Sequence, residues 1–503
     1  MRDTSLRLAW VATALVFFAH LIANPHYGFF RDELYFIICG RHPAWGYVDQ
    51  PPLVPLIAAG TQLFGTSLVA LRASAALCAA ASVFVTMRLT AQLGGGRFAQ
   101  AFAALVAALT PVLIAFGAQV GPDMIGLWLW PLAALYVLRI VDGASPRLWL
   151  AVGAALGVSF EAKYSVLFFA FALLIGLVLT SQRRILATPW FAFGALLAIA
   201  IALPNAIWQL AHGLPMLAVL RADAAGENVV LSPLAYLVQQ LLITNPLLAW
   251  VWILGIVVAL RTARLRWIGI ACLALLAEMI VLHGKNYYPA DMYPIPIAIG
   301  AAAVARALCA RWGRITLVVA SLVVASWMVP LVVPILPTPL LIGYTAFLRD
   351  NLPLSAASES HRRARLSQDF ADMHGWRHLA ATVARMYQAL PAAERAHTAI
   401  IASNYGEASA IAFFDAGIGL PPILSTHNQY WLWGPHGFTG STLIDVNGRC
   451  GARLHAHFYK YSRVIERFNN PLGMPYEDGF PISLCRDPRE PLTRIWPLLK
   501  NYN

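Results

Sequence analysis

The sequence predicts a polytopic α-helical membrane protein of about eleven transmembrane helices that ends in a small α/β domain. Of its 503 residues, 59% are hydrophobic and 12% are charged, and the mean hydropathy is +0.64. This composition is too apolar for a soluble protein of this length. The apolar residues gather into runs of about 20, the length of helix that crosses a hydrocarbon core of about 30 Å. Near residue 336 this pattern gives way to shorter strand-like and helix-like segments.

Basic residues fall in short clusters in every second loop between the apolar runs. Arg183 with Arg184, and Arg261 with Arg264 and Arg266, form two of these clusters. Because basic loops face the cytoplasm, we expect the N-terminus inside and, after an odd number of spans, the C-terminal domain outside. The clustering accounts for the formal charge of +12, so the predicted partner is a lipid bilayer, with no nucleic acid.

The first apolar run has basic residues before it and no small-residue cleavage site after it, so we interpret it as an uncleaved signal-anchor. One long stretch between Arg147 and Arg183 must contain a turn, because both of its ends are basic. The predicted spans lie near residues 8–24, 66–88, 100–119, 122–140, 148–182 (two crossings), 190–210, 235–259, 267–283, 291–308 and 315–336.

The C-terminal part is organised differently. We assign residues 1–336 to the membrane domain, 337–374 to a linker that begins in a proline-rich segment, and 375–503 to the α/β domain. Proline disfavours a continuous helix in the linker. In the α/β domain, composition and alternation predict strands and a helix, at 397–403, 421–426 and 441–446 for the strands and 407–417 for the helix. The sequence leaves open whether Cys450 and Cys485 form a disulfide, which would persist outside the cytoplasm.

Charge is concentrated in the first outer loop, residues 25–65, and most of all between Phe29 and Pro52. Arg31, Asp32 and Glu33 lie there among aromatic residues, directly after the first span. Ionisable groups beside a bilayer are costly and mark functional sites by default. We therefore place the chemical centre at Asp32.

Five segments carry a resemblance to a known family: DELY at 32–35, WGYVDQPPL at 45–53, the loop around Asp123, NAIWQ at 205–209 and GKNYYP at 284–289. Through them, about residues 5–330 resemble the GT-C glycosyltransferases. The bacterial branch concerned is related to protein O-mannosyltransferases, aminoarabinose transferases and lipopolysaccharide galacturonic acid transferases. The resemblance implies a protein of the bacterial inner membrane with a periplasmic first loop and a periplasmic C-terminal domain. It also implies a polyprenyl-phosphate-linked sugar donor, a periplasmic acceptor and no cofactor.

Asp32 matches the loop aspartate of this family, which implies that it deprotonates or orients an acceptor hydroxyl. A carboxylate beside the reacting oxygen is a suitable general base if its pKa is tuned. Glu33 is its companion in the motif and either shares the catalytic role or caps the loop.

The group that leaves would be a lipid phosphate, which calls for cations beside it. The chain has only four lysines, and Lys163 and Lys285 lie at the outer ends of apolar spans. Lys285 and Tyr288 belong to a segment that is similar to the phosphate-contacting segment of the family. Interfacial anchoring is the alternative for both lysines. Arg31 either contacts phosphate or pairs with a neighbouring carboxylate.

Four further residues are candidates for acceptor binding or loop support: Asp123, Asp49, His42 and Tyr35. Asp123 opens a span and either caps that helix or helps to hold the acceptor or a metal. An aromatic belt explains Tyr35 equally well. We predict no metal site, because a pair of candidate ligands such as His283 and Glu278 does not make one. The aromatic segment 425–437 fits either a carbohydrate face or a membrane surface.

The predicted function is transfer of a hexosyl or pentosyl group, with inversion, to a cell-envelope lipid, polysaccharide or protein. Two departures from the aminoarabinose transferases, Gln50 where lysine is common and Tyr35 where arginine is common, argue against lipid A phosphate as the acceptor. The alternative is a polyprenyl-lipid transporter or flippase, which should show paired halves with broken helices at the membrane midplane. A membrane receptor whose tail binds glycan is a third interpretation, based only on segment 425–437.

Overall fold

The structure, a computed structural model, describes residues 2–222, 230–351, 364–415, 419–448 and 458–502. It divides into two compact units. Unit 1 comprises Met1–His26, Ser67–Ile207 and Val229–Ala356, and unit 2 comprises Tyr27–Thr66, Trp208–Asn228 and Ala357–Asn503.

Most of the first 351 residues are helical. The α-helices in chain order are α1 (Arg2–Ala23), α2 (Arg31–Arg41), α3 (Leu53–Gly60), α4 (Leu68–Gln92), α5 (Arg97–Ala108), α6 (Pro111–Ala118), α7 (Asp123–Val141), α8 (Leu148–Phe160), α9 (Val166–Val178), α10 (Pro189–Ala211), α11 (Pro215–Ala222), α12 (Pro233–Ile243), α13 (Ala249–Arg261), α14 (Arg266–Val281), α15 (Pro294–Ala307), α16 (Arg311–Ser326) and α17 (Thr338–Asn351).

Several of these helices confirm the multi-pass membrane character that hydropathy predicted. Among the described residues, five helices are long and apolar enough to cross a bilayer. Helices α5 and α6, bent by 67° at the break between them, meet the same criteria only when taken together, as one broken span or a re-entrant loop. Shorter apolar helices, α8, α9, α12 and α13, accompany them. The total of about eleven crossings stays a prediction.

Two predicted spans are interrupted. The span expected at 100–119 breaks before Pro111, the first residue of α6, because proline lacks the backbone N–H that would continue the preceding helix. The span expected at 235–259 breaks between α12 and α13, where Asn245 adopts a left-handed φ of +69°.

Small residues bring the unit 1 helices close together. A Cβ atom on Gly255 of α13 would fall on the carbonyl oxygen of Pro296, and one on Gly300 of α15 would fall on that of Val251. Glycine at such crossings lets helix backbones approach in an apolar environment where packing, not water exclusion, drives association.

Unit 2 combines the first loop with the C-terminal part. Helix α2 has seven consecutive buried residues, from Glu33 to Cys39. It packs against α3 and against the C-terminal helix Tyr405–Phe414. The C-terminal elements are α18 (Gln368–Ala371), α19 (Trp376–Gln388), α20 (Ala392–Arg395), β1 (Thr398–Ala402), α21 (Tyr405–Phe414), β2 (Ile423–Ser425), α22 (Asn428–Trp433), β3 (Thr442–Val446), β4 (Tyr459–Phe468), β5 (Phe480–Pro488) and α23 (Leu492–Ile495).

The five strands form one sheet in the order β2-β1-β3-β5-β4. Strands β2, β1 and β3 are parallel, and β5 and β4 run antiparallel to their neighbours. The three strands and the helix predicted here are present. The β4–β5 hairpin was not predicted, because the side chains of β4 are largely exposed and four of its ten residues are charged, which hides the alternation that marks a half-buried strand.

Two further predictions concern the linker and the pairing of Cys450 with Cys485. The predicted linker, 337–374, contains helix α17, Thr338–Asn351, which begins inside the proline-rich segment and has Pro339 as its second residue. Cys485 is fully buried in β5, whereas Cys450 lies outside the described residues, so their pairing stays open.

Candidate functional site

Asp32 lies in the first turn of α2. Its Oδ1 atom accepts two hydrogen bonds, from the Tyr405 hydroxyl at 2.8 Å and from Arg31 Nε at 3.1 Å. The described part of the chain provides no hydrogen bond to Oδ2, and the side chain is 31% exposed. Asp32 therefore has one fixed oxygen and one that is open to a further donor.

Arg31 is held by carboxylates on two sides. Besides Asp32, its guanidinium pairs with Asp372 at 3.4 Å and lies 5.3 Å from the centre of the Tyr405 ring. Its backbone N–H also donates to the Asp372 carbonyl at 3.0 Å. Burial raises the pKa of Asp372 to about 6, against the opposing effect of Arg31. The carboxylate pairing that the sequence offered as one interpretation of Arg31 is present, and phosphate contact stays a prediction.

Glu33 is fully buried on the same helix. Its Oε2 atom accepts a hydrogen bond from the backbone N–H of Phe30 at 2.8 Å. This contact satisfies a donor that the start of a helix leaves without an intrahelical partner. The structure thus gives Glu33 the capping role that the sequence left open beside a catalytic one.

A second carboxylate, Asp49, is fixed at both oxygens. Oδ1 accepts from the Tyr35 hydroxyl at 2.9 Å, and Oδ2 accepts from Asn428 Nδ2 at 3.1 Å. Burial raises the pKa of Asp49 to about 6, with a smaller contribution from the negative charge of Asp32. The Tyr35 ring packs 4.5 Å from that of Tyr405, so adjacent tyrosines hold the two acids.

The aromatic segment 425–437 contributes structural contacts to this region. Asn428, Gln429 and Tyr430 are buried, and Gln429 Oε1 accepts the backbone N–H of Val48 at 3.0 Å. Part of the segment therefore binds the first loop, a role that neither sequence interpretation included. His42 is exposed and packs its ring 4.9 Å from that of Trp433.

Unit 1 contains a separate cluster around Lys163. Its ammonium pairs with Asp123 Oδ1 at 2.5 Å and lies 4.6 Å and 5.1 Å from the ring centres of Tyr288 and Tyr287. Asp123 is the first residue of α7 and its side chain is paired with Lys163. Asp291, 2% exposed, packs where a Cβ on Gly126 would lie.

The segment that carries Lys285 and Tyr288 is fastened to helix α12. The Tyr236 hydroxyl donates to the Lys285 carbonyl at 3.2 Å, and Gln240 Nε2 donates to the Asn286 carbonyl at 2.8 Å. Lys285 and Tyr288 are half-buried. The backbone of this segment is thus held in place by hydrogen bonds from α12.

Several residues of these clusters were missed from the sequence. Tyr405 and Asp372 lie more than 300 positions from Asp32, and no spacing rule connects them. The signal that existed was positional: Tyr405 follows the carboxyl end of β1 and opens a helix, a place where α/β proteins concentrate functional groups. No group of three or more His, Cys, Asp or Glu that could hold a metal ion lies within the described ranges.

Comparisons with known proteins agree with the resemblance seen in the sequence. Residues 49–208 match the family described as dolichyl-phosphate-mannose-protein mannosyltransferase. A lipid A galacturonosyltransferase, RgtD of Rhizobium johnstonii, is 28% identical over 186 residues, which is 37% of this chain. That match spans 39% of the relative's length.

Solved structures show the same fold over nearly the whole chain. ArnT from Cupriavidus metallidurans bound to undecaprenyl phosphate superposes with a TM-score of 0.59 at 16% identity, covering 95% of this chain and 97% of that one. Its apo state gives 0.62 at 14% identity, covering 96% and 98%. The family match, the relative and the fold together confirm the resemblance of this chain to the membrane glycosyltransferases of the GT-C superfamily.

Proposed function

We propose that this protein is a glycosyltransferase of the bacterial inner membrane that moves a sugar from a polyprenyl-phosphate donor to a periplasmic acceptor in the cell envelope. In this proposal the N-terminus is cytoplasmic, and the first loop and C-terminal domain are periplasmic. The sugar is a hexose or pentose, and the configuration at its anomeric carbon is inverted by a single displacement.

The observation that carries the proposal is the partly exposed Asp32, with Oδ1 fixed and Oδ2 open. An acceptor hydroxyl that donates to Oδ2 gives up its proton there as its oxygen attacks the anomeric carbon. The bond between that carbon and the phosphate oxygen breaks, and polyprenyl phosphate leaves with the bonding electrons. Positioned general bases contribute about 10²- to 10⁴-fold to such steps.

Lys163 and Lys285 are the proposed cations for the departing phosphate, with Tyr288 beside them. The contacts of Lys163 with two tyrosine rings and a carboxylate support this proposal, because each of them favours an ammonium group at this place. Charge-assisted hydrogen bonds to phosphate oxygens are stronger than neutral ones, so the leaving group would gain most from these cations as its charge develops.

The remaining first-loop residues support the site. Glu33 fixes the start of α2, and Asp49 with Tyr35 fastens the loop to the C-terminal part. His42, on the exposed face, and Asp123, beside Lys163, are proposed to contact the acceptor. An acceptor that is itself a phosphate needs no base, and Asp32 would then only orient it.

The test is a transfer assay on purified full-length protein in lipid nanodiscs. Labelled undecaprenyl-phosphate sugars are supplied one at a time. Galacturonic acid is tested first, because the relative RgtD is a galacturonosyltransferase. The acceptors are lipid A and lipid A core oligosaccharide. We expect labelled acceptor from the wild type and a loss of about 10²-fold or more from Asp32→Asn. Asp487→Asn, an exposed carboxylate in the same unit, serves as the matched control and should retain activity.

Two outcomes would overturn the proposal. Full activity of Asp32→Asn with a hydroxyl acceptor would remove the base. Absence of transfer across the donor and acceptor panel, together with movement of labelled lipid between leaflets, would favour a flippase.

A further inference from the structure

The carboxylate of Asp32 is held by groups that come from the C-terminal part of the chain. Tyr405 donates directly to Oδ1. Asp372 acts through Arg31, whose guanidinium and backbone N–H it binds. Residues of α21 and of the segment after α18 therefore complete the surroundings of a first-loop residue, all within unit 2.

The Tyr405 hydroxyl is itself rigidly placed. The residue is the first of α21, and Asn404 caps that helix by accepting the backbone N–H of Glu407 at 2.9 Å. The Tyr405 ring packs against the rings of Tyr35 and His427, with centroid distances of 4.5 Å and 5.0 Å. A donor supported in this way holds its partner in one geometry, which functional groups require.

Gly406 shows how closely α21 approaches α2. A Cβ atom at this position would collide with Cγ of Arg31. The absence of a side chain lets Arg31 lie along the start of α21, with its guanidinium over the Tyr405 ring. Arg31 and Tyr405 thus reach the same oxygen of Asp32 from adjoining positions.

We propose that Tyr405 is a positioning residue for the transfer reaction: its hydroxyl, together with Arg31, fixes Oδ1 of Asp32 so that Oδ2 is presented to the acceptor. This inference rests on the proposed function. The terminal torsion angle of an aspartate side chain has a broad distribution. Without these contacts, the carboxylate would therefore sample many orientations of Oδ2. Fixing one oxygen defines the direction of the other.

The competing explanation is that Tyr405 only stabilises unit 2 through its ring contacts. Replacing it with phenylalanine keeps the ring and removes only the donor, so the two explanations predict different kinetics. Tyr387→Phe is the matched control, because it also removes a hydroxyl from unit 2, one that donates to the Arg395 carbonyl at 3.2 Å.

The first experiment compares kcat and KM of the wild type, Tyr405→Phe and Tyr387→Phe in the nanodisc assay, with thermal unfolding as the folding check. A hydrogen bond to a charged group corresponds to about 10- to 100-fold in rate. We expect Tyr405→Phe to lose that factor in kcat at unchanged KM for donor and acceptor, and Tyr387→Phe to resemble the wild type. Wild-type kcat in Tyr405→Phe would overturn the inference.

The second experiment places Tyr405→Phe in an Asp32→Ala background. If Tyr405 acts through Asp32, the double variant should match Asp32→Ala alone, because the removed carboxylate leaves nothing to position. A further loss in the double variant would show that Tyr405 acts elsewhere and would overturn the inference.

A third variant covers the case in which Tyr405→Phe does not fold. Asp372→Asn keeps the side-chain size and weakens the hold on Arg31, so we expect a smaller loss of kcat, again at unchanged KM. Unchanged kcat in Asp372→Asn would then count against the inference. An active wild type with a normal Tyr405→Phe overturns only this inference, whereas an inactive wild type overturns the proposed function.

Discussion

The charged clusters of the two units differ in how their central side chains, Asp32 and Lys163, are bound by neighbouring groups. In unit 2, Asp32 has one oxygen bound by Tyr405 and Arg31 and keeps the other open. In unit 1, the Lys163 ammonium is already bound to the Asp123 carboxylate and lies against the rings of two tyrosines. The acid is presented to a partner, and the cation already has one.

The two groups differ in whether they must break an existing contact to bind a substrate. A carboxylate with an open oxygen can accept a further hydrogen bond without breaking an existing contact. In the proposed reaction, Lys163 would have to exchange its carboxylate partner for a phosphate or bind both, so part of the attraction to phosphate would offset the loss of the Asp123 contact. In this proposal Asp123 and the lipid phosphate compete for Lys163, so removal of the Asp123 carboxylate should favour binding of the donor.

The largest effect expected in unit 1 is that of Lys163→Met. Loss of a charge-assisted contact should raise the KM for the polyprenyl-phosphate sugar by about 10- to 100-fold. Steady-state transfer rates at varied donor concentration measure it. Lys460→Met, on the exposed strand β4, is the matched lysine control and should leave KM unchanged.

Asp123→Asn distinguishes competition from structural support. We expect it to lower the donor KM several-fold, because Lys163 then has no carboxylate to leave. Because Asp123 is also proposed to contact the acceptor, we expect the acceptor KM to rise. A donor KM raised as much as in Lys163→Met would show that the ion pair holds the unit together instead.

In unit 2, Gly406→Ala should have an effect at the lower end of that expected for Lys163→Met. The new methyl group collides with Arg31, so the hold on Asp32 should loosen and kcat should fall by about tenfold, the effect of one lost hydrogen bond to a charge. Gly343→Ala, which places a methyl group in open space, controls for the substitution itself. Equal kcat in both variants would show that the approach of α21 to α2 has no bearing on turnover.

Lys285→Met tests the phosphate role against interfacial anchoring. Because its backbone carbonyl is already fixed by Tyr236, we expect the segment to keep its place and the donor KM to rise by up to about tenfold. Lys285→Arg should restore most of the affinity. If expression and membrane insertion fall while KM stays constant, the lysine is an anchor.

The final prediction concerns the pH dependence of stability. The pKa of Asp372 is raised to about 6 by burial, above about 3.9 for an unfolded aspartate. Between these values the native state binds more protons, so the free energy of unfolding should decrease as pH rises from about 4 to 6, by about 3 kcal/mol at most from this group. Thermal unfolding of purified protein across this range should show a shallower decline in Asp372→Asn, and an unchanged slope would contradict the assignment.

The long apolar helices could be predicted from the sequence more completely than helix α2 could. Long apolar helices such as α4, α7 and α10 follow from hydropathy alone, because crossing a bilayer fixes both their length and their composition. Helix α2 does not, because its seven consecutive buried residues, Glu33 among them, have no helical period of polarity. Its burial depends on α3 and α21, which local pattern cannot reveal.

The candidate residues divide in the same way. Asp32, Lys163 and Lys285 were found because a charge at the edge of an apolar run is conspicuous. Tyr405 and Asp372 were not, because a tyrosine and an aspartate in an α/β segment are ordinary by composition, and only the tertiary structure brings them to Arg31 and Asp32.

The most direct test of the central claim is the pre-steady-state rate of sugar transfer to a hydroxyl acceptor, with donor saturating, in the wild type and in Asp32→Asn. The account predicts that Asp32→Asn binds the donor normally and transfers its sugar at least about 100-fold more slowly. Equal transfer rates in the two proteins would contradict it, because the open oxygen of Asp32 would then have no part in the reaction.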